Sequence, residues 1–327
     1  MQKTKLSIVT KDSEEELSQD VIVDDYFKPL VKTWSKDLKE AAVMMTREEM
    51  RYLVDAYYNW QENRIRAASQ IRNATDAEPS GVLKVVLSSS ALLEKRVQQA
   101  LDIKVMSSPT GQWLRGIYGI GPVIAAGLLA HINIEKATTA GSVWRYAGYD
   151  PTIEWKKGEK RPFNADLKVI CWKAGQSFMK FHSRDECFYG HLYKKKKEQE
   201  VWKNEHGQFA ETAARILTEK NWSKDTPTYK SLTEGKLSPA HIDARARRWC
   251  VSILLSHLFE IMFWNRYNII PPRPYMIAIK HHPITHEIFA PNTEMFPEYE
   301  AAIKKWWKEN PNGANMDEPW WKSKEIG

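Results

Sequence analysis

The stretch that most constrains this chain is Gln112-Trp113-Leu114-Arg115-Gly116-Ile117-Tyr118-Gly119-Ile120-Gly121-Pro122-Val123-Ile124-Ala125-Ala126-Gly127-Leu128. An apolar helix end runs into a Gly-Ile-Gly turn, and Pro122 then opens a helix of small residues. Glycine permits a tight turn, and proline suits the first helical position because its missing N–H is not needed there. Ala125, Ala126 and Gly127 allow close approach to a neighbouring helix, and Ile120 is expected to plug the turn into a core. The segment therefore dictates a helical corner. It also suits an anion. Glycines let the turn backbone approach a phosphate, and amides at the start of the second helix donate to it with the helix dipole behind them. Gly119, Ile120 and Gly121 are the expected amide donors, with Tyr118 and Val123 beside them. The competing reading is a corner whose glycines serve packing alone.

The remainder reads as the same all-α class. Thr46 before Glu48 and Glu49 is an N-cap with acids in the first turn, opening a helix over 46–75. Its stripe runs through Met50, Leu53, Val54, Tyr57, Gln61 and Ile65 at a period near 3.6. Asp76-Ala77-Glu78-Pro79-Ser80-Gly81 breaks it, and a second helix follows over about 82–104. Together they predict an antiparallel, coiled-coil-like helical hairpin, for packing or for a homodimer through residues 46–105. Contact of Arg64, Arg66 and Arg72 with nucleic acid is the alternative. Pro239 starts a strong helix over 239–267, and Pro271-Pro272-Arg273-Pro274 is read as the end of the compact part. Four segments result: an acidic N-terminal arm over 1–45, the helical hairpin over 46–108, the corner-containing domain over 109–270, and a Pro/Trp-rich tail over 271–327. The tail carries Trp306-Trp307 and Trp320-Trp321, read as wrapping over the body or as oligomer contacts.

Charge adds a location. The 327 residues carry a net +7, yet Trp155 to Lys197 alone holds twelve Lys/Arg against four acids. The basicity is thus local and follows the corner directly, the pattern of a polyanion footprint. Glu154–Pro162 reads as a loop or small β-ribbon in which Trp155 is interleaved with Lys156, Lys157, Lys160 and Arg161. Arg145 and Lys168 flank it, and the lysines at 194–197 read more readily as a solvated helix face. Three cysteines without close spacing exclude a disulfide scaffold and a CxxC metal knuckle. The apolar runs Gly121–Ile134 and Trp249–Trp264 fall short of a membrane span, and the charged first residues lack a signal core.

Gly116–Pro151 resembles the carboxy-terminal domain of bridge-RNA-guided insertion-sequence transposases, which are DEDD recombinases. The likeness rests on the apolar helix, the Gly-Ile-Gly-Pro turn, the Ala-rich helix and Trp144-Arg145-Tyr146-Ala147-Gly148-Tyr149-Asp150-Pro151. More loosely it extends over 46–265, with the basic loop, the Asn before the Asn164–Ala174 helix and His241–Trp249. It implies a helix-hairpin-helix fold and DNA, or structured RNA, as partner. It also implies a cytoplasmic, nucleoid-associated setting in a bacterial or phage-infected cell. Two departures matter. The family's RNase H-like half, with its Mg²⁺-binding acids, needs well over a hundred residues before the hairpin, whereas about 45 precede it here. Asp24 and Asp25 only imitate a strand-end metal pair. The family's nucleophilic serine is also missing, because Thr152 is the only hydroxyl in the matching stretch and stands too early.

Other chemistry is weaker. His281, His282 and His286 flank Pro283, which opposes a shared helix face. His182, Cys187 and His191 match no common zinc spacing. Hairpin-bearing DNA glycosylases carry a catalytic Asp about twenty residues past the turn, whereas Asp150 lies farther on and Tyr118 stands where a Lys is often found. The expectation is a non-catalytic DNA-binding protein with no cofactor, metal or membrane association. The alternatives are an oligomeric protein of a phage or mobile element, and a residual recombinase subunit or repair enzyme.

Overall fold

The computed structural model describes residues 39–74, 81–156, 158–219, 221–271 and 290–309. Every regular element among them is helical, so the fold is all-α, and the described part of 154–162 is a loop with no strand. Several expectations lie outside the described residues: the acidic arm over 1–38 with Asp24 and Asp25, the 75–80 break, Lys157, Pro272–Pro274, the histidines at 281, 282 and 286, and Trp320-Trp321. The side chains of Trp306 and Trp307 lie outside them too. The chain divides into two compact units between Lys104 and Val105.

The first unit holds a short helical stretch at 39–44, then α1 (Arg47–Asn73) and most of α2 (Gly81–Met106). α1 begins where the sequence places its cap. The Thr46 hydroxyl accepts from the Glu49 amide, and the Glu49 carboxylate accepts from the Thr46 amide at 2.7 Å. This reciprocal box satisfies two amides that would otherwise lack partners. Glu94 of α2 is buried and answered from α1 by Gln61 and Arg64, the latter at 2.5 Å. Lys104 near the end of α2 donates to the Val43 carbonyl just before α1. These pairings follow the order that two oppositely directed helices give. Arg64 is thereby consumed by an internal ion pair, and Arg66 pairs with Glu62 on its own helix.

The second unit is organised around α10 (Pro239–Tyr267). Its latter half, from Cys250 to Phe263, is buried on nearly every face. A helix apolar all round belongs in a core rather than at a surface. Packed on it are α3 (Pro109–Gly116), α5 (Ala140–Ala147), α6 (Ala165–Lys180) and α7 (Phe188–Glu205), while α4 (Pro122–His131) packs on α6. Close approach is visible at Gly127, where a Cβ would stand 2.9 Å from Ile170, and at Gly175, where it would meet Val251 at 3.1 Å. A satellite cluster of Phe209, Ala213, Leu232, Leu237 and Ile242 unites α8 (Ala210–Glu219) and α9 (Pro227–Thr233) with the start of α10.

The chain does not leave the compact body at Pro271. Residues 290–309 include α11 (Pro297–Glu309), whose Tyr299 and Ile303 are buried. The Tyr299 hydroxyl donates to Glu260 of α10 at 3.0 Å, and the indole N–H of the wholly buried Trp113 donates to the Pro291 carbonyl at 2.7 Å. No helix among the described residues is long and apolar enough to cross a membrane.

Candidate functional site

The corner is built as the glycines demand. Ser108 caps α3 by accepting from the Gly111 amide, and α3 ends at Gly116. The Ile120 amide then closes onto the Ile117 carbonyl at 3.0 Å, and Gly119 adopts φ +96°, a conformation only glycine takes without strain. Ile120 is buried, as its plug role requires.

Three carbonyl groups of the turn are engaged by side chains. The Cys187 thiol contacts the Tyr118 oxygen at 3.7 Å, the Ser177 hydroxyl donates to the Gly119 oxygen at 2.6 Å, and Arg115 donates to the Ile120 oxygen at 3.0 Å. The amide side is different. Gly121 is the N-cap of α4 and supplies no side-chain cap, and Pro122 has no N–H. The amides of Val123 and Ile124, in the first turn, have no partner within their own helix. Gly121 has φ −82° and ψ 171°, open to any residue, and a Cβ there would meet nothing within 4 Å. Neither backbone conformation nor internal packing calls for glycine at this position.

The site differs from expectation in two details. The Ile120 amide, one of the three expected donors, is spent inside the turn. Val123 is buried as well, so its side chain is not open to a ligand.

α6 is the spine that carries the remaining residues, and it separates them. The turn packs on the C-terminal half of α6 through Ser177 and Phe178. Tyr118, partly exposed, stands edge-on to Phe181 at 5.4 Å, and the exposed Lys180 lies 5.5 Å from the same ring. The basic loop sits at the opposite end. Asn164 caps α6 by accepting from the Leu167 amide at 2.7 Å and ties it to Tyr146 of α5. Gly148, at φ +71°, ends α5 where a Cβ would strike Phe163. Trp155 is folded into its own loop. Its indole N–H donates to the Glu159 carbonyl at 2.9 Å, its ring stands edge-on to Phe163, and the Arg161 guanidinium lies 5.7 Å from its centroid. Arg145, Lys156, Lys160 and Arg161 are exposed around it. From the Asn164 cap to Ser177 the helix advances about 20 Å. The expected set thus forms two clusters at either end of one helix rather than one clamp.

Sequence reasoning expected Arg161 and Lys168 but missed the arginine of α10 that stands with them. Arg245 of α10 is answered by Glu200 at 2.6 Å and Arg247 by Asp243 at 2.7 Å. Arg248 has no carboxylate partner among the described residues, nor do Lys168 and Arg161. Desolvation, then Arg248 and Arg161, lower the Lys168 pKa, which brings these three cations into one field. Adjacent arginines at 247 and 248 point to different faces of a helix, and nothing in the sequence says which face meets Lys168.

Among the described residues no group of three His, Cys, Asp or Glu side chains is arranged to hold a metal. His182, Cys187 and His191 do not converge, and burial pushes the Cys187 thiol up. Asp150 accepts from the Thr152 amide and hydroxyl, a local turn bond for both. Comparison with family models, curated proteins and solved structures found no match to this chain.

Proposed function

We propose that this chain is a non-catalytic DNA-binding protein of transposase descent, and that the 117–121 turn acts as a helix-hairpin-helix phosphate clamp. The observation that carries the reading is Gly121. It leaves the start of α4 without a side-chain cap and open, and beyond glycine's own suitability as an N-cap neither backbone strain nor packing holds it there. A side chain at that position would meet nothing in the protein and would stand in the path of an incoming phosphate. The basic cluster at the far end of α6 extends the footprint along the backbone. Contacts of this kind position nucleic acid without reading its sequence, so weak sequence preference follows.

The test is a fluorescence-anisotropy titration with duplex DNA, a four-way junction, single-stranded DNA and structured RNA across a salt series. For duplex DNA the slope of log K against log[salt] is about −0.9 per neutralised phosphate. Gly121→Val is expected to weaken binding roughly tenfold or more, the worth of a charge-assisted hydrogen bond, with an unchanged melting temperature. Charge reversal at Lys160 and Arg161 is expected to flatten the slope. Weak, salt-insensitive binding of every probe would refute the reading, and preference for the RNA would move the partner from DNA to RNA.

A second reading has its own observation. Val82, Val85 and Val86 of α2 form an exposed apolar stripe at helical spacing. Such a face supports self-association through residues 46–105, which light scattering of the intact chain tests.

A further inference from the structure

Between α6 and α10, beside the Gly148 turn, lies a cleft of about 290 Å³ whose walls include Tyr149, Trp172, Arg247, Arg248 and Val251, with Gly175 among them. Two side chains of its lining and one beside it set its character. Trp172 is 54% exposed, a large indole left facing solvent on a helix that has a core to pack on. Lys168, beside the cleft, lies one turn before Trp172 and so on the same face of α6, with its ammonium 3.9 Å from the Phe163 ring centroid. Arg248 brings a guanidinium that no carboxylate among the described residues neutralises, although Arg245 and Arg247 on the same helix are both paired. Arg248 is an exposed residue that lines the cleft, so its charge is open to an incoming anion.

The larger cleft, of about 380 Å³ along α7, lacks this character. There Lys194 and Lys197 stand with Glu198 and Glu205, and Lys197 is bonded to Asp243.

An open aromatic wall beside uncompensated cations is the arrangement that takes a base on its flat face and its phosphate on its edge. The volume lies at the low end of small-ligand pockets, far too small for a duplex. We propose that this cleft receives one unstacked nucleotide, its base laid on the Trp172 indole and its phosphate held by Arg248 and Lys168. The nucleotide is taken as part of the nucleic acid bound under the reading above, on which this inference rests. The same chemistry fits a free mononucleotide, and the experiment separates the two sources.

The probe is a DNA duplex with a single unpaired 2-aminopurine, compared with the fully paired duplex of equal length. The wild-type chain is expected to bind the bulged duplex more tightly and to change the 2-aminopurine fluorescence. Trp172→Ala is expected to lower affinity for the bulged duplex roughly 5- to 100-fold while leaving the paired duplex unaffected, and Trp172→Phe to retain most of the preference. Arg248→Ala is expected to reduce the salt slope by about one phosphate. Gly121→Val is expected to weaken both duplexes equally. Melting curves verify that each variant folds, and the exposed position of Trp172 makes it the safe one. Equal binding of the two duplexes by the wild type, or a bulge preference that survives Trp172→Ala, overturns the inference with the DNA-binding reading intact. Failure of the wild type to bind either duplex refutes that reading instead. Equilibrium dialysis with adenosine monophosphate then decides the cleft: binding lost in Trp172→Ala keeps it as a site for free nucleotides, and no binding overturns it.

Discussion

Replacing Gly119 and Gly121 by alanine, one at a time, separates what the turn needs to fold from what it leaves open. At Gly119 the backbone stands at φ +96°, and an L-residue held in the left-handed region costs about 1–2 kcal/mol. The new Cβ would also lie 3.3 Å from both Phe178 Cδ1 and Ser177 Oγ. Moving Ser177 aside weakens its 2.6 Å bond to the Gly119 carbonyl, worth about 1 kcal/mol. The total is about 2–3 kcal/mol, which for a unit of this size lowers the melting temperature by about 4–12 °C. At Gly121 the backbone is ordinary and the Cβ meets nothing, so the gain in chain stiffness and the poorer N-cap nearly cancel. Thermal unfolding followed by circular dichroism at 222 nm should show a clear drop for Gly119→Ala and a shift of less than about 2 °C for Gly121→Ala. Equal losses at both positions, or none at Gly119, would mean the turn is not held as described.

Glu200 is almost wholly buried, and although burial raises its pKa, its bonds from Arg245 and Lys196 hold the carboxyl below its usual value. A depressed carboxyl contributes stability that is present above the unfolded-state pKa, about 4.3, and disappears as pH falls through the lower folded value. Glu200→Gln should therefore cost about 2–3 kcal/mol at pH 7 and flatten the loss of stability below about pH 4, read from urea unfolding across that range. Tyr299→Ala should lower stability by about 3 kcal/mol and make the 290–309 segment sensitive to limited proteolysis, since it removes both a buried ring and the bond to Glu260. Thr46→Ala should cost the first unit about 1 kcal/mol by opening its capping box, seen as an earlier helical melt.

What the sequence made legible was local. Thr46 with Glu49 marks a helix start because the capping bond spans only three residues, and Pro239 marks another because its fixed φ suits the first helical position. The turn was equally legible, since Gly119 and Pro122 carry their conformational reasons within themselves. The helix that the resemblance places over Asn164–Ala174 runs on to Lys180, and Gly175 inside it gives close contact with α10. The return of 290–309 rests on Trp113 and Pro291, which lie far apart in the chain. The alignment of Arg248 with Lys168 depends on how two helices rotate against each other. Such relations are set by packing and leave no periodic trace.

The three anchored carbonyls of the turn have a further consequence. With Tyr118, Gly119 and Ile120 each fastened by a donor from a different part of the body, the 117–121 loop has given up its conformational freedom at the folding step. A ligand that meets it has no loop to order, so little entropy is lost there on association. Encounter would then be governed by long-range attraction and orientation rather than by rearrangement, and the on-rate, more than the off-rate, should track ionic strength.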